Sequence, residues 1–231
     1  MKIILASNSP RRRELLTLSG YSFQTLTEAV DEESIQEQVL KEYSSLPATA
    51  LHFELVKRLS LVKAEALLPA HAPLDICPVQ KLSKLPDFIA EGDKHQYVIL
   101  GADTIVCLKE EILGKPCDLE VAETMLRKLA GKTHLVHTGV TLLTVSPDGV
   151  LSWEDSFVNT TEVTFFPLDA PLEARIKEYV TSGVPMDKAG AYGIQDHGAV
   201  FISGIKGDYY NVMGLPLSRV TRLLDRLSTR G

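Results

Sequence analysis

The stretch KIILASNSPRRRELL, from Lys2 to Leu16, most constrains the fold, because a buried-strand pattern gives way to a helical one across a single short turn. Lys2 to Ala6 is a brief, mostly apolar run that stops at Ser7-Asn8-Ser9-Pro10, as a buried strand ending in a turn does. Ser9 is placed to cap a helix and Pro10 to occupy its first position; Leu15, Leu16 and Leu18 then form an apolar stripe that Gly20 stops. A strand delivered straight into a helix is the building unit of an α/β fold. The order recurs further on. Tyr97 to Gly101 is a second buried strand, extended by Ile105 to Leu108; Lys109-Glu110-Glu111 turns the chain, Ile112-Leu113-Gly114 returns as a hairpin arm, and Asp118 to Leu129 follows as an amphipathic helix.

Between these units, Leu46 to Leu68 has helical spacing with Leu55, Leu59, Val62 and Ala66 on one face. Prolines and a glycine interrupt residues 69–96, which predicts a surface loop or insertion there. Strands are expected at His134–Thr144 and Trp153–Phe166, a helix at Leu172–Thr181, strands and tight turns over Gly190–Gly214, and a closing helix at Leu215–Leu227. With 231 residues, 45% of them hydrophobic and 23% charged, the chain can bury one sizeable core, and residues 1–231 read as a single domain. A net charge of −6 argues against a broad nucleic-acid or membrane face, so any anion site has to be local. No stretch reaches transmembrane length, and MKIILASNSPRR is too brief for a secretory leader. Cys77, Cys107 and Cys117 show no CxxC or Cys/His metal spacing, which favours a reduced, cytoplasmic protein over a disulfide or zinc framework.

Five groups of residues can carry chemistry. The turn before Pro10 offers hydroxyls and backbone N–H groups at a positive helix end, with Arg11, Arg12 and Arg13 behind it; either this is a polyphosphate receptor, or Ser9 caps the helix while the arginines solvate its outer face. GADTIV puts Asp103 at the end of an apolar strand, as a general base, a metal ligand or a turn residue bonded to its own backbone. Glu32 and Asp187 are further carboxylates that could join Asp103 around Mg²⁺. Lys63, Lys115 in LGKP and Lys188 in MDKAG are either surface lysines or phosphate contacts; LGKP lacks the Walker spacing. In AGAYGIQ, Gln195 offers an amide suited to a base edge, unless the segment is a plain hairpin turn. No HExxH, GxSxG or Cys/His pair suggests a covalent intermediate, so a water nucleophile is the simpler expectation.

The segments LASNSPRRRELL, VILGADTIVCLKEEILGKP, GKTHLVHTGVTLL and YVTSGVPMDKAGAYGIQDHGAVFISGIKGDYYNVMGLPLSRV, in that order, resemble the Maf family of nucleoside triphosphate pyrophosphatases. The resemblance implies an elongated mixed α/β sheet with flanking helices and a central cleft, akin to inosine triphosphate pyrophosphatases, and a homodimer. It also implies hydrolysis between the α and β phosphates with a divalent metal, Mg²⁺ or Mn²⁺. By the same resemblance Asp103 is the proton acceptor, Ser7 and Arg12 match phosphate-site positions, and Lys63 and Lys115 match functional lysines; the residue reading adds Lys188 as a substrate contact and Asp103 as a metal ligand. Glu32 falls at the family's acidic metal position, although that region reads EAVDEES here and departs from its D-x-D-E pattern. Arg11, Thr104 and Gln195 match the subgroup acting on dTTP and UTP, where the 7-methyl-GTP type has Trp, Gln and Glu. Alternatives are a pyrophosphatase for methylated nucleotides and a nucleotide-binding regulator of cell division without turnover; a plain α/β interaction module is a third.

Overall fold

The computed structural model describes residues 1–69 and 79–229. Of the expected loop at 69–96, residues 70–78 with Cys77 lie outside the described residues. The chain clusters into two compact units, each interleaved in sequence: Met1–Asp103 with Gly139–Val158 and Leu217–Gly231, and Thr104–Thr138 with Asn159–Pro216.

In the first unit the expected opening forms: β1 (Lys2–Leu5) leads into α1 (Pro10–Leu18), whose first turn is capped by the Ser9 side chain accepting from the Arg12 backbone N–H. Leu15 and Leu16 are buried, but Leu18 is 62% exposed, so the stripe is shorter than its spacing suggests. The helix ends at Leu18, before Gly20 takes the positive φ that an L side chain resists. Next come β2 (Phe23–Thr25), α2 (Glu32–Glu42) and α3 (Ala48–Glu65). After β3 (Val79–Lys81), the long strand β4 (Tyr97–Leu108) begins. The strand order is β2-β1-β4-β6-β7-β3, with β6 at Thr133–Val145 and β7 at Val150–Phe165. β1 runs parallel to both neighbours, with Ile3 opposite Val98 and Leu5 opposite Leu100.

Three further features of this unit depart from the sequence expectation. Residues 21–45 carry no assigned element in the sequence pattern, yet β2 and α2 form there; α2 has Val39 as its one buried side chain, and the Asp31 cap and acidic first turn hold it instead of an apolar stripe. The face α3 buries is wider than expected and includes Val56, Ser60, Leu61 and Ala64, while Val62 and Ala66 are half-buried. The segment after residue 78 is more than surface loop: β3 pairs antiparallel with β7, and Leu82 and Ile89 are buried in the core with Ile4, Ile99 and Leu143. The closing helix α7 (Leu217–Ser228) buries Val220 and Leu224, and the Arg219 guanidinium stacks 3.8 Å above the Phe157 ring.

The second unit holds the far half of β4, with β5 (Glu111–Leu113) paired antiparallel to it as the expected hairpin. It also contains α4 (Leu119–Leu129), capped by Asp118, the first half of β6, the second half of β7, and α5 (Ala170–Thr181), capped by Asp169. Leu126, Leu129, Phe165, Ile176, Tyr192 and Phe201 form its core. Gly190–Gly214 is less strand-rich than expected: two tight helical turns, Ala189–Ala191 and His197–Phe201, precede β8 (Ile202–Lys206), and a short helix α6 (Tyr209–Met213) follows. Buried Asn211 anchors α6 by donating to the Val136 carbonyl and the Thr161 hydroxyl. The result is a mixed α/β fold of parallel and antiparallel strands. No helix among the described residues is long and apolar enough to cross a membrane.

Candidate active site

Two glycines set the geometry of the first unit. Gly101 lies two residues before Asp103 in β4 and therefore on the same face of the strand. A Cβ built at Gly101 would stand 2.1 Å from the Ser60 carbonyl oxygen of α3, and one at Gly139 of β6 would stand 2.3 Å from the Val56 carbonyl. The helix thus rests on the sheet more closely than any larger residue permits. Small hydroxyl side chains fill the seam. Ser60 donates to the Lys57 carbonyl at 2.8 Å, which leaves its oxygen to accept from Thr141 at 2.8 Å.

This close seating brings the last turn of α3 to Asp103. Lys63 Nζ donates to Asp103 Oδ1 at 2.5 Å and pairs with Glu32 Oε1, from the first turn of α2, at 2.9 Å. Asp103 is 8% exposed, whereas Glu32 is open to solvent. Ser7, buried just past β1, accepts from the Ser9 backbone N–H at 3.2 Å and from Arg12 Nη1 at 3.3 Å. Burial lowers the pKa of the Arg12 guanidinium from its usual value; Asp103 and Glu32 pull it back up and Arg11 pushes it further down. Arg11 and Arg12 are half-buried and Arg13 is exposed. A half-buried arginine beside a helix N-terminus and a serine hydroxyl can receive an anion, and such donors suit phosphate better than a lone carboxylate. Asp103 and Glu32 share one ammonium, so their oxygens stand close enough to share one cation. Carboxylate oxygens completed by substrate phosphate oxygens are the donor set magnesium takes, and these residues fit it.

The second unit carries the other expected residues. Thr138 donates to the Asn211 carbonyl at 3.0 Å, so the Thr104 hydroxyl, 3.0 Å away, is the donor to Thr138. Lys115 is exposed in the LGKP turn, and a backbone bond from Gly190 N to Gly114 O at 3.0 Å ties this turn to DKAGAY. Lys188 is 8% exposed; its Nζ reaches the Val184 carbonyl at 2.5 Å, Asp187 Oδ1 at 2.6 Å and Asp196 Oδ2 at 3.6 Å. Gln195 is half-buried and immediately precedes Asp196.

The structure therefore places Ser7, Arg11, Arg12, Lys63, Asp103 and Glu32 in the first unit, and Thr104, Lys115, Lys188, Gln195 and Asp187 in the second. Residues that hold these groups escaped the sequence pattern. Asp196 and Tyr179 brace the Gln195 turn; the signal for Asp196 was the Asp-x-Gly spacing of a side chain capping its own backbone. Nothing local marks Gly101 as a contact, because the atom it avoids belongs to a helix some forty residues away in sequence.

The profile described as Maf-like protein matches residues 2–227 of the chain. A Bacillus thuringiensis subsp. konkukian (strain 97-27) protein named dTTP/UTP pyrophosphatase is 40% identical over 227 residues, which is 98% of this chain and 96% of that protein. Its Geobacillus sp. (strain WCH70) namesake is 41% identical over 226 residues, 98% of each chain. A third of that name, from Bacillus cereus (strain G9842), is 40% identical over 223 residues, 96% of this chain and 94% of its own. The match runs from the first strand into the last helix and takes in every candidate site residue named above: this chain belongs to the Maf family.

Proposed function

We propose that the chain hydrolyses dTTP and UTP between the α and β phosphorus atoms, releasing the nucleoside monophosphate and pyrophosphate. The observation that carries this reading is the pair of carboxylates, Asp103 and Glu32, gathered on the Lys63 ammonium and both within electrostatic reach of the half-buried Arg12. The substrate pair comes from the names of the relatives. Ser7 and Arg12 bind the triphosphate, and Arg12 stabilises the charge that gathers on the departing pyrophosphate. Asp103 accepts the proton of the attacking water, with Lys63 orienting its carboxylate. Mg²⁺ or Mn²⁺, held by Asp103, Glu32 and substrate oxygens, supplies neutralisation of the triphosphate charge. Lys115 and Lys188 contribute positive charge toward the phosphates, while Arg11, Thr104 and Gln195 select the pyrimidine. A homodimer working in the cytoplasm completes the proposal.

The test is pyrophosphate release from a panel of canonical and methylated nucleoside triphosphates with Mg²⁺ or Mn²⁺. Release from dTTP and UTP that Asp103→Asn abolishes is the expected result. A near-wild-type rate for Asp103→Asn at saturating metal removes its role. Tight binding of nucleotides without release from any would make the chain a nucleotide-binding regulator, and a preference for methylated nucleotides would reassign the substrate.

A further inference from the structure

Asp196 is the centre of a compact network in the second unit. Its Oδ1 accepts from the Tyr179 hydroxyl at 2.9 Å and from the Gly198 backbone N–H at 2.8 Å, and its Oδ2 faces the Lys188 ammonium at 3.6 Å. Tyr179 in turn accepts from the Gly193 backbone N–H at 3.2 Å. The chain from Gly193 to Gly198 is thus folded around one carboxylate. Its closeness is visible from both ends: a Cβ at Gly193 would meet Asp196 Oδ2 at 2.2 Å, and one at Gly198 would meet the Gly193 carbonyl at 2.8 Å and Asp196 Oδ1 at 3.2 Å. Gln195 lies inside this turn, one residue from the carboxylate. The network reaches into the core, since Tyr179 belongs to the buried face of α5 and its ring packs edge-on against Phe201 at 5.3 Å.

The geometry points to Asp196 as the positioning residue for Gln195, through which it sets which nucleobase the enzyme accepts. The physical reason is preorganisation. An amide that discriminates bases has to be held within about half an ångström of its working place, and a glycine-rich turn cannot do that unaided. Tyr179 anchors Asp196 to the helix, Lys188 balances its charge, and the two glycines leave room for the carboxylate at the turn's centre. Lys188 thereby supports Gln195 through Asp196, whatever contact it makes with phosphate. The inference rests on the function proposed above and adds to it the group that fixes base selectivity.

The experiment compares kcat and KM for pyrophosphate release from dTTP, UTP, CTP and GTP in the wild type, Asp196→Ala, Asp196→Asn, Gln195→Ala and the double variant Gln195→Ala/Asp196→Ala. Asp196→Ala should raise KM for dTTP and UTP by about tenfold or more while kcat changes much less, narrowing the preference over CTP and GTP. Asp196→Asn still accepts from Tyr179 and Gly198, so it should recover most of the selectivity. In the Gln195→Ala background Asp196→Ala should add no further loss of selectivity, because both act through one amide. Should Asp196→Ala fail to fold, Tyr179→Phe removes one anchor while keeping the ring in the core, and it should narrow selectivity in the same direction. An equal loss on all four nucleotides, or additive losses in the double variant, overturns the assignment while leaving the pyrophosphatase intact. A wild type that releases pyrophosphate from none of them overturns the function and the assignment together.

Discussion

Replacing Gly101 by alanine tests whether close seating of α3 on the sheet is what builds the site. The new Cβ would stand 2.1 Å from the Ser60 carbonyl oxygen and 3.1 Å from Ala64 Cβ. The first neighbour is backbone and cannot swing aside, so restoring an ordinary contact requires α3 to withdraw by roughly 1 Å or more. Gly139 grips the same helix at Val56, one turn before Ser60, so the movement falls mainly on the end that carries Lys63. Overpacking of this kind costs about 1–3 kcal/mol. For a chain of this length each kcal/mol lowers Tm by about 2–4 °C. The chemistry should suffer more, because Lys63 Nζ loses its 2.5 Å contact with Asp103 and a displacement near 1 Å costs on the order of 100-fold in rate. Thermal unfolding together with pyrophosphate release from dTTP reads both effects. Gly204→Ala, where a Cβ meets nothing within 4 Å, is the matched control and should leave Tm within about 2 °C of wild type. A Gly101→Ala protein with wild-type Tm and wild-type turnover would refute the reasoning.

Three further outcomes are expected. Arg12→Ala should reduce turnover far more than Arg13→Ala, since Arg12 is half-buried on Ser7 while Arg13 is exposed; equal small effects in steady-state kinetics would remove Arg12 from the phosphate site. Asp93 is held well below the usual carboxylate range by Lys2 foremost, and also by His95 and Tyr97; its stabilisation is complete above the unfolded value of 3.8 and is lost as pH falls below it. Asp93→Asn should therefore flatten the acid limb of a Tm-versus-pH curve, and an unchanged limb would contradict this. His134, 1% exposed against Phe165 and Tyr192, has its pKa pushed down by burial to about 4. Between pH 6.5 and about 4 the unfolded chain takes up a proton that the folded one does not, so stability falls with pH there by on the order of 3 kcal/mol. His134→Phe should remove that slope in denaturant unfolding at graded pH, and persistence of the slope would reassign it to other groups.

The parts of the fold that were legible are those whose signals are local. Ser9 and Pro10 announce a helix start in any context, and Asp118 and Asp169 cap α4 and α5 with the same chemistry. The buried run from Tyr97 to Leu108 shows itself as a strand because both of its faces are apolar. What stayed hidden depends on contacts made at a distance. β3 is a strand because β7 pairs with it, since its own three residues carry no pattern. Leu82 and Ile89 are core residues in a stretch whose prolines and charges read as surface. Asp103 and Lys63 were individually visible as candidates, and their 2.5 Å contact follows from Gly101 and Ser60, whose small size has no meaning until helix and strand are placed together. Asp196 carries no local signal of its role beside Gln195, because its partners Tyr179 and Lys188 lie on separate turns of the chain.

The most direct measurement of the central claim is product analysis of UTP turned over by the wild-type chain and by Asp103→Asn, with Mg²⁺ present. The account predicts UMP and pyrophosphate in equal amounts from the wild type and neither from the variant. Appearance of UDP and inorganic phosphate, or the same UMP yield from both proteins, would contradict it.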